Sequence, residues 1–169
     1  MEHNYEYKLD NVLLRPLQHE DIEYLRIWRN TPDNTKYLNS IPFITVEMQE
    51  EWFKRYHENK DEIAFAIVEE QFLHRIVGSL SLYNIEEGSI EIGKIMVGDP
   101  DAHGKKVAEN ATKAAAVIAH EMLGKNVIIM HVYEMNIAAV KAYKNAGFKI
   151  AEKHVDKQGR TELTMSKKY

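Results

Sequence analysis

Apolar residues recur along this chain with two different periods, and the switches between them divide it into elements. Residues 12–17 form a short apolar stretch that ends at Pro16-Leu17 and predicts a first strand. A helix follows. Glu20, Asp21 and Glu23 fall in its first turn, where the helix dipole favours acids, and Ile22, Leu25 and Trp28 supply the buried stripe. Asn30 to Asn34 breaks it. Thr45 is placed to cap a second helix, with Met48, Trp52 and Tyr56 on one face and a break at residues 59–61. Strands are then expected over 63–68, 75–83 and 89–97, the last two joined by the turn-like residues 84–88, as an antiparallel meander.

From Gly104 the period becomes helical. Val107, Ala108, Ala111, Ala115, Ile118, Ala119 and Met122 trace one stripe, and Gly124 sits where a C-terminal cap is wanted. A helix so rich in alanine can pack close to a sheet. Residues 127–133 are β-branched and apolar enough for a buried strand. Asn136 caps a short helix carrying Ile137, Val140 and Tyr143, which Gly147 closes with Phe148 beyond it. The tail, residues 149–154 and 160–166 around Asp156-Lys157-Gln158-Gly159, reads as a terminal hairpin. The predicted order is β-α-α-β-β-β-α-β-α-β-β. With no repeat, low-complexity run or linker, residues 1–169 are expected to form one domain.

Composition narrows the chemistry. A chain of 169 residues that is 44% hydrophobic can bury one sizeable core. Against 26 Asp and Glu stand 22 Lys and Arg, and the net charge of -4 argues against a nucleic-acid binder, while leaving room for a phosphorylated small molecule held by local positive charge. The absence of cysteine excludes disulfides, iron–sulfur clusters, Cys-based zinc sites and a Cys nucleophile. Residues 1–6 lack the basic and apolar regions of a signal peptide, and no window approaches the ~20 apolar residues of a membrane span, so a soluble cytoplasmic protein without membrane partners is expected. His120-Glu121 begins like a zincin helix, but Gly124 replaces the second histidine, and no metal is expected.

The sharpest local feature is the link Gly98-Asp99-Pro100-Asp101-Ala102-His103-Gly104-Lys105-Lys106-Val107-Ala108 between an apolar strand and the long helix. A helix N-terminus offers unpaired N–H groups and partial positive charge, which two lysines beside a glycine strengthen. Such a site suits a pyrophosphate, although turn geometry and solubility alone can also account for Gly and Lys there. It is not a Walker A loop, because Gly98 stands one residue too far from Gly104-Lys105 and Lys106 replaces the Ser or Thr. No Gly-x-Gly-x-x-Gly or Gly-x-Ser-x-Gly occurs.

Taken together, the strand at 89–97, the Gly104 loop, the long helix, the strand at 127–133 and Asn136-x-x-Ala139-x-x-x-Tyr143-x-x-x-Gly147-Phe148 resemble the GNAT family of N-acetyltransferases. The resemblance covers nearly the whole chain. Leu13-Leu14-Arg15-Pro16-Leu17, Asp21, Leu25 and Trp28-Arg29-Asn30 are similar to the opening of the branch containing ribosomal-protein N-acetyltransferases. Arg29-Asn30-x-Pro32, the stretch Ile41-Pro42-Phe43-Ile44-Thr45 and the closing Lys167-Lys168-Tyr169 resemble nucleotide-amino-sugar N-acetyltransferases.

The resemblance implies an α/β (α+β) fold, with a mixed, mostly antiparallel sheet of about seven strands and helices on both faces. It implies that the strands at 89–97 and 127–133 run parallel and splay into a slot for the pantetheine arm of acetyl-CoA. Backbone groups of Ile95, Met96 and Val97, with Asn136, would hold that arm. The amides of His103, Gly104, Lys105, Lys106, Val107 and Ala108 would bind pyrophosphate. Lys106 departs from the small residue usual at its position.

Acetyl transfer to an amine needs a neutral amine, donors for the developing oxyanion and a proton for the leaving thiolate. By resemblance Tyr143 is the acid; packing of its ring alone is the alternative. For the base, Glu91 is expected on the face of Gly93 and Ile95 by the two-residue strand period, with Glu134 and His131 as fallbacks. Arg26, Arg29, Lys54 and Arg55 put positive charge on the first two helices, and Arg29 with Asn30 is the preferred acceptor contact. The acceptor is a small-molecule or peptide amine: an amino sugar, a protein N-terminus, a polyamine or an antibiotic. A non-catalytic acetyl-CoA-binding module is the rival, disfavoured by the presence of both Asn136 and Tyr143. Either a monomer or a homodimer is expected.

Overall fold

The computed structural model describes residues 2–37 and 42–169, so Met1 and Ile41, which entered the expectations above, lie outside it. Its strands are β1 (Tyr7–Leu9), β2 (Val12–Pro16), β3 (Glu62–Glu69), β4 (Arg75–Tyr83), β5 (Ser89–Val97), β6 (Val127–Tyr133), β7 (Lys149–Val155) and β8 (Thr161–Lys168). Helices are α1 (Ile22–Arg29), α2 (Pro32–Thr35), α3 (Val46–Glu58), α4 (Val107–Val117) and α5 (Ile137–Asn145). The strands form one eight-stranded sheet in the order β1-β2-β3-β4-β5-β6-β8-β7, antiparallel everywhere except between β5 and β6. This is the expected architecture with one strand more. The extra strand, β1, is three residues long and turns into β2 through Asp10, whose φ is +50°. Asn30 to Asn34, expected only to break the first helix, instead includes most of the single-turn α2, started by Pro32 at its first position.

Each face of the sheet carries a core. One buries Ala111, Ala114, Ala115 and Ala119 of the α4 segment against Leu14, Phe65, Leu80, Ile92 and Met130, and includes Tyr143 and Phe148. Small side chains let the helix lie close to the strands. The helix ends in a π turn at Ile118–Met122 before Gly124, whose φ is +67°. The second core packs Ile22, Leu25 and Trp28 of α1 with Phe53 and Tyr56 of α3 over Ala64, Ala66 and Ile76. Here α3 differs from expectation: its inward residues are Gln49, Phe53 and Tyr56, while Met48 is 45% exposed. The polar Gln49 hid that face from the hydrophobic pattern. Ile137 likewise stands 76% exposed at the start of α5.

Two irregularities shape the middle of the sheet. Along β4 and β5 the pairing runs from Tyr83 opposite Glu91 to Ser81 opposite Gly93, then resumes at Ser79 opposite Met96, so β5 carries one extra residue. Lys94 sits in this bulge with φ +52°. Beyond it the faces exchange: Ile95 and Val97 pack with the α4 core, as Ile90 and Ile92 do, and Met96 turns to the α1–α3 core. Ile95 therefore does not share a face with Glu91 and Gly93, as strict alternation predicted. The second irregularity is that β5 and β6 pair only through Ser89–Val127, Ile90–Ile128 and Glu91–Ile129. Their C-terminal halves are unpaired with one another.

Candidate active site

The gap between the unpaired halves of β5 and β6 opens toward the loop that leads into α4. That loop is tied at its root. Gly98 and Asp99 donate their amides to the Val77 carbonyl at 2.9 and 3.2 Å, and Arg75 grips Asp99 and Asp101 at 2.8 Å each. The Arg75 guanidinium holds the Asp99 carboxyl below its ordinary range despite partial burial. With both acids bound to Arg75, the outer loop presents His103, Lys105 and Lys106.

Not every loop amide is available. His103 N donates to Pro100 O at 3.2 Å and Lys105 N to Ala102 O at 3.3 Å, whereas among the described residues Gly104 and Lys106 donate to no backbone carbonyl. Val107 and Ala108 open α4, and among the described residues their amides donate to no carbonyl of the preceding loop. Gly104 has φ +78°, a left-handed conformation that glycine adopts without strain, and nothing lies within 4 Å of where a Cβ would stand. Lys106 is the residue before α4 and takes the left-handed conformation at φ +57°.

Beyond the C-terminal end of β6, the Asn136 side chain caps α5 by accepting from Ala139 N at 3.3 Å. Tyr143, two turns on, is buried in the α4-side core, and burial pushes its phenol up to about 12. No hydrogen bond engages its hydroxyl among the described residues. On the opposite face, Glu91 stands where the two strands part. Its Oε1 accepts from Tyr83 Oη at 2.5 Å and its Oε2 from Asn84 Nδ2 at 2.8 Å, and His131 Nε2 lies 4.0 Å away. Gly93 makes room for this arrangement, because a Cβ there would lie 2.3 Å from the Tyr83 hydroxyl oxygen. Burial and Glu91 together raise the Tyr83 phenol well above its ordinary range, so it stays a donor.

A parallel pair that splays, an open amide-bearing loop before a long helix and a buried tyrosine on the helix after the second strand have a counterpart among known families. Residues 11–149 match the acetyltransferase (GNAT) domain model, most of the chain. The chain belongs to the GNAT family. Solved structures agree on the fold. A spermidine N-acetyltransferase from Vibrio cholerae, in complex with CoA and spermine, superposes with a TM-score of 0.81 at 21% identity, over 94% of this chain and 95% of that one. A GNAT-family acetyltransferase from Bacillus anthracis gives 0.81 at 16% identity over 97% and 98%. A domain from Methanocaldococcus jannaschii gives 0.76 at 21% over 94% and 98%. No curated protein matches the sequence.

As a GNAT enzyme the chain is an N-acetyltransferase that uses acetyl-CoA. The residues present suit that donor: open amides and lysines for an anion, an unpaired strand edge for an amide-bearing arm, and a protonated hydroxyl without a partner. The remaining expected residues fall out unequally. Asn30 is occupied in the fold, since its side chain both donates to Ile44 O at 2.8 Å and accepts from Ile44 N at 2.9 Å. Arg29 is not: its Nε is buried without a hydrogen-bond partner, and it forms no ion pair among the described residues. Glu134 is exposed and bound to Lys153 at 2.6 Å. Sequence reading missed Tyr83 and Asn84, which no motif marks; only the cross-strand register of β4 and β5 puts them beside Glu91.

Proposed function

We propose that this enzyme acetylates the primary amine of an acceptor that also carries negative charge, a nucleotide-linked amino sugar, by direct attack in a ternary complex. The observation that carries this reading is Arg29, a half-buried arginine at the C-terminal end of α1 whose shielded Nε has no hydrogen-bond partner among the described residues. A buried donor without a partner is costly unless a ligand supplies one, and guanidinium suits a diphosphate. Bound acetyl-CoA supplies an activated acyl group. The chain's own residues then divide the work. The amides of Gly104, Lys106, Val107 and Ala108 hold pyrophosphate, and backbone groups of Ile95 to Val97, with Asn136, align the pantetheine arm. Tyr143 holds a proton at its hydroxyl for the departing sulfur. Glu91 accepts the amine proton; a carboxylate has about four lone-pair directions, and Tyr83 and Asn84 occupy two.

A polyamine acceptor is the second reading. Glu62 and Glu91 flank Tyr83 on neighbouring strands, where Glu62 already holds the Lys94 ammonium at 2.6 Å, and the Vibrio cholerae relative was solved with spermine. Release of CoA thiol, measured with a UDP-linked amino sugar and with spermidine, separates the two. The amino sugar is expected to be the better acceptor, and Arg29→Met is expected to raise its KM by about tenfold or more with little change in kcat. Preference for spermidine, unaffected by Arg29→Met, would favour the polyamine reading instead. Lys106→Glu is expected to weaken acetyl-CoA binding about tenfold in calorimetry, because it reverses a charge beside the pyrophosphate.

A further inference from the structure

A buried polar cluster reaches the Gly104 loop from beneath, and nothing in the catalytic scheme uses it. At its centre is Asn11, between β1 and β2. Its Nδ2 donates to Glu69 Oε1 at 3.1 Å and to the Lys105 carbonyl at 3.0 Å, and its Oδ1 accepts from Asn110 Nδ2 at 2.8 Å. Both N–H donors and the oxygen of the amide are therefore engaged. Glu69, fully buried at the end of β3, also accepts from the amides of Gln71, Phe72 and Leu73 at 3.2, 2.9 and 2.7 Å. Burial alone would raise its carboxyl, but these donors outweigh it and hold it below the ordinary range. One asparagine thus joins the β3–β4 turn, the first turn of α4 and the loop.

The Lys105 contact determines an orientation. In a trans peptide the C=O and the next N–H point in opposite directions. A Lys105 carbonyl drawn inward to Asn11 therefore turns the Lys106 N–H outward, and that N–H donates to no backbone carbonyl among the described residues. We infer that Asn11 is a positioning residue for cofactor binding: it holds the Lys105–Lys106 peptide so that the Lys106 amide faces the pyrophosphate. This rests on the loop being the pyrophosphate site, as proposed above.

Calorimetric titration with acetyl-CoA and with S-acetylpantetheine, which lacks the pyrophosphate, tests the inference without any acceptor amine. Asn11→Ala is expected to weaken acetyl-CoA binding about tenfold while leaving S-acetylpantetheine binding unchanged. Asn110→Ala breaks the same cluster but spares the Lys105 contact, and is expected to leave acetyl-CoA binding within about twofold of wild type. Equal losses for both ligands, or in both variants, would show a merely structural cluster and overturn the inference. If Asn11→Ala does not fold, Asn11→Ser takes its place, because its hydroxyl ends one bond short of the amide nitrogen that meets the Lys105 carbonyl at 3.0 Å. Should Lys106→Glu leave acetyl-CoA affinity intact, the loop assignment falls and this inference with it. If Lys106→Glu weakens binding and the Asn11 variants do not, only the inference falls.

Discussion

Replacing Tyr143 with Phe is expected to lower kcat by about 10²–10³-fold while acetyl-CoA affinity stays within about twofold. The same change is expected to leave the fold as stable or slightly more stable, and this opposition makes the experiment decisive. The side chain is buried against the apolar core, 7% exposed, and its hydroxyl engages no partner among the described residues. A hydroxyl without a protein partner adds nothing to packing, so packing alone gives no reason to keep it. A proton needed by departing sulfur does. Because burial pushes the phenol up to about 12, it remains an acid throughout neutral and mildly alkaline pH. The ratio of wild-type to Phe rates is therefore expected to be constant from about pH 7 to 10. Stability follows the same sign. A raised folded pKa makes a contribution that is complete below the ordinary tyrosine range and is lost as pH rises through the folded value, a loss the Phe variant lacks. An unchanged kcat across this range would remove Tyr143 from the acid role.

The second large effect is expected at Gly78. Substitution with Ala is expected to cost about 2–3 kcal/mol of stability and to weaken acetyl-CoA binding more than tenfold. Gly78 lies opposite Val97 in the β4–β5 pair, and a Cβ there would stand 2.1 Å from the Met96 carbonyl oxygen and 3.1 Å from the Met96 carbonyl carbon and from Val97 Cα. All three atoms are backbone, so no rotamer change relieves the contact. The far half of β5 has to move, and that half carries the Ile95–Val97 backbone assigned to the pantetheine arm. Gly88→Ala is the control, since a Cβ there meets nothing within 4 Å and its φ is not positive. Urea denaturation and calorimetry on both variants check the expectation, and a Gly78 variant that behaves like the Gly88 variant would sink it.

Much of the architecture is encoded locally. β4, β5 and β6 begin and end where their apolar runs do, and the cap at Asn136 with Gly147 beyond bounds α5 because a side-chain acceptor and a φ of +92° are local requirements. The GNAT pattern was readable for the same reason, being a series of short-range spacings. What the sequence pattern misplaced depends on partners distant in the chain. The bulge at Lys94 arises from the register between β4 and β5, and it reverses the face of every residue after it, Ile95 first. The inward face of α3 is set by what α1 and the sheet offer to Gln49, Phe53 and Tyr56.

The candidate site divides along the same line. Tyr143, Glu91 and the Gly104 loop could be named from residue type and spacing, because helix starts, strand faces and glycine conformations leave marks within a few residues. Only the folded chain decided that His103 and Lys105 donate their amides to carbonyls within the loop, that Asn30 is bound to Ile44 while Arg29 Nε is left without a partner among the described residues, and that Tyr83 and Asn84 hold Glu91. Asn11 is the extreme case, with partners 58, 94 and 99 residues away. Hydrogen bonds over such separations follow from how sheet, loop and helix pack together, and no local pattern of apolar and polar residues records them.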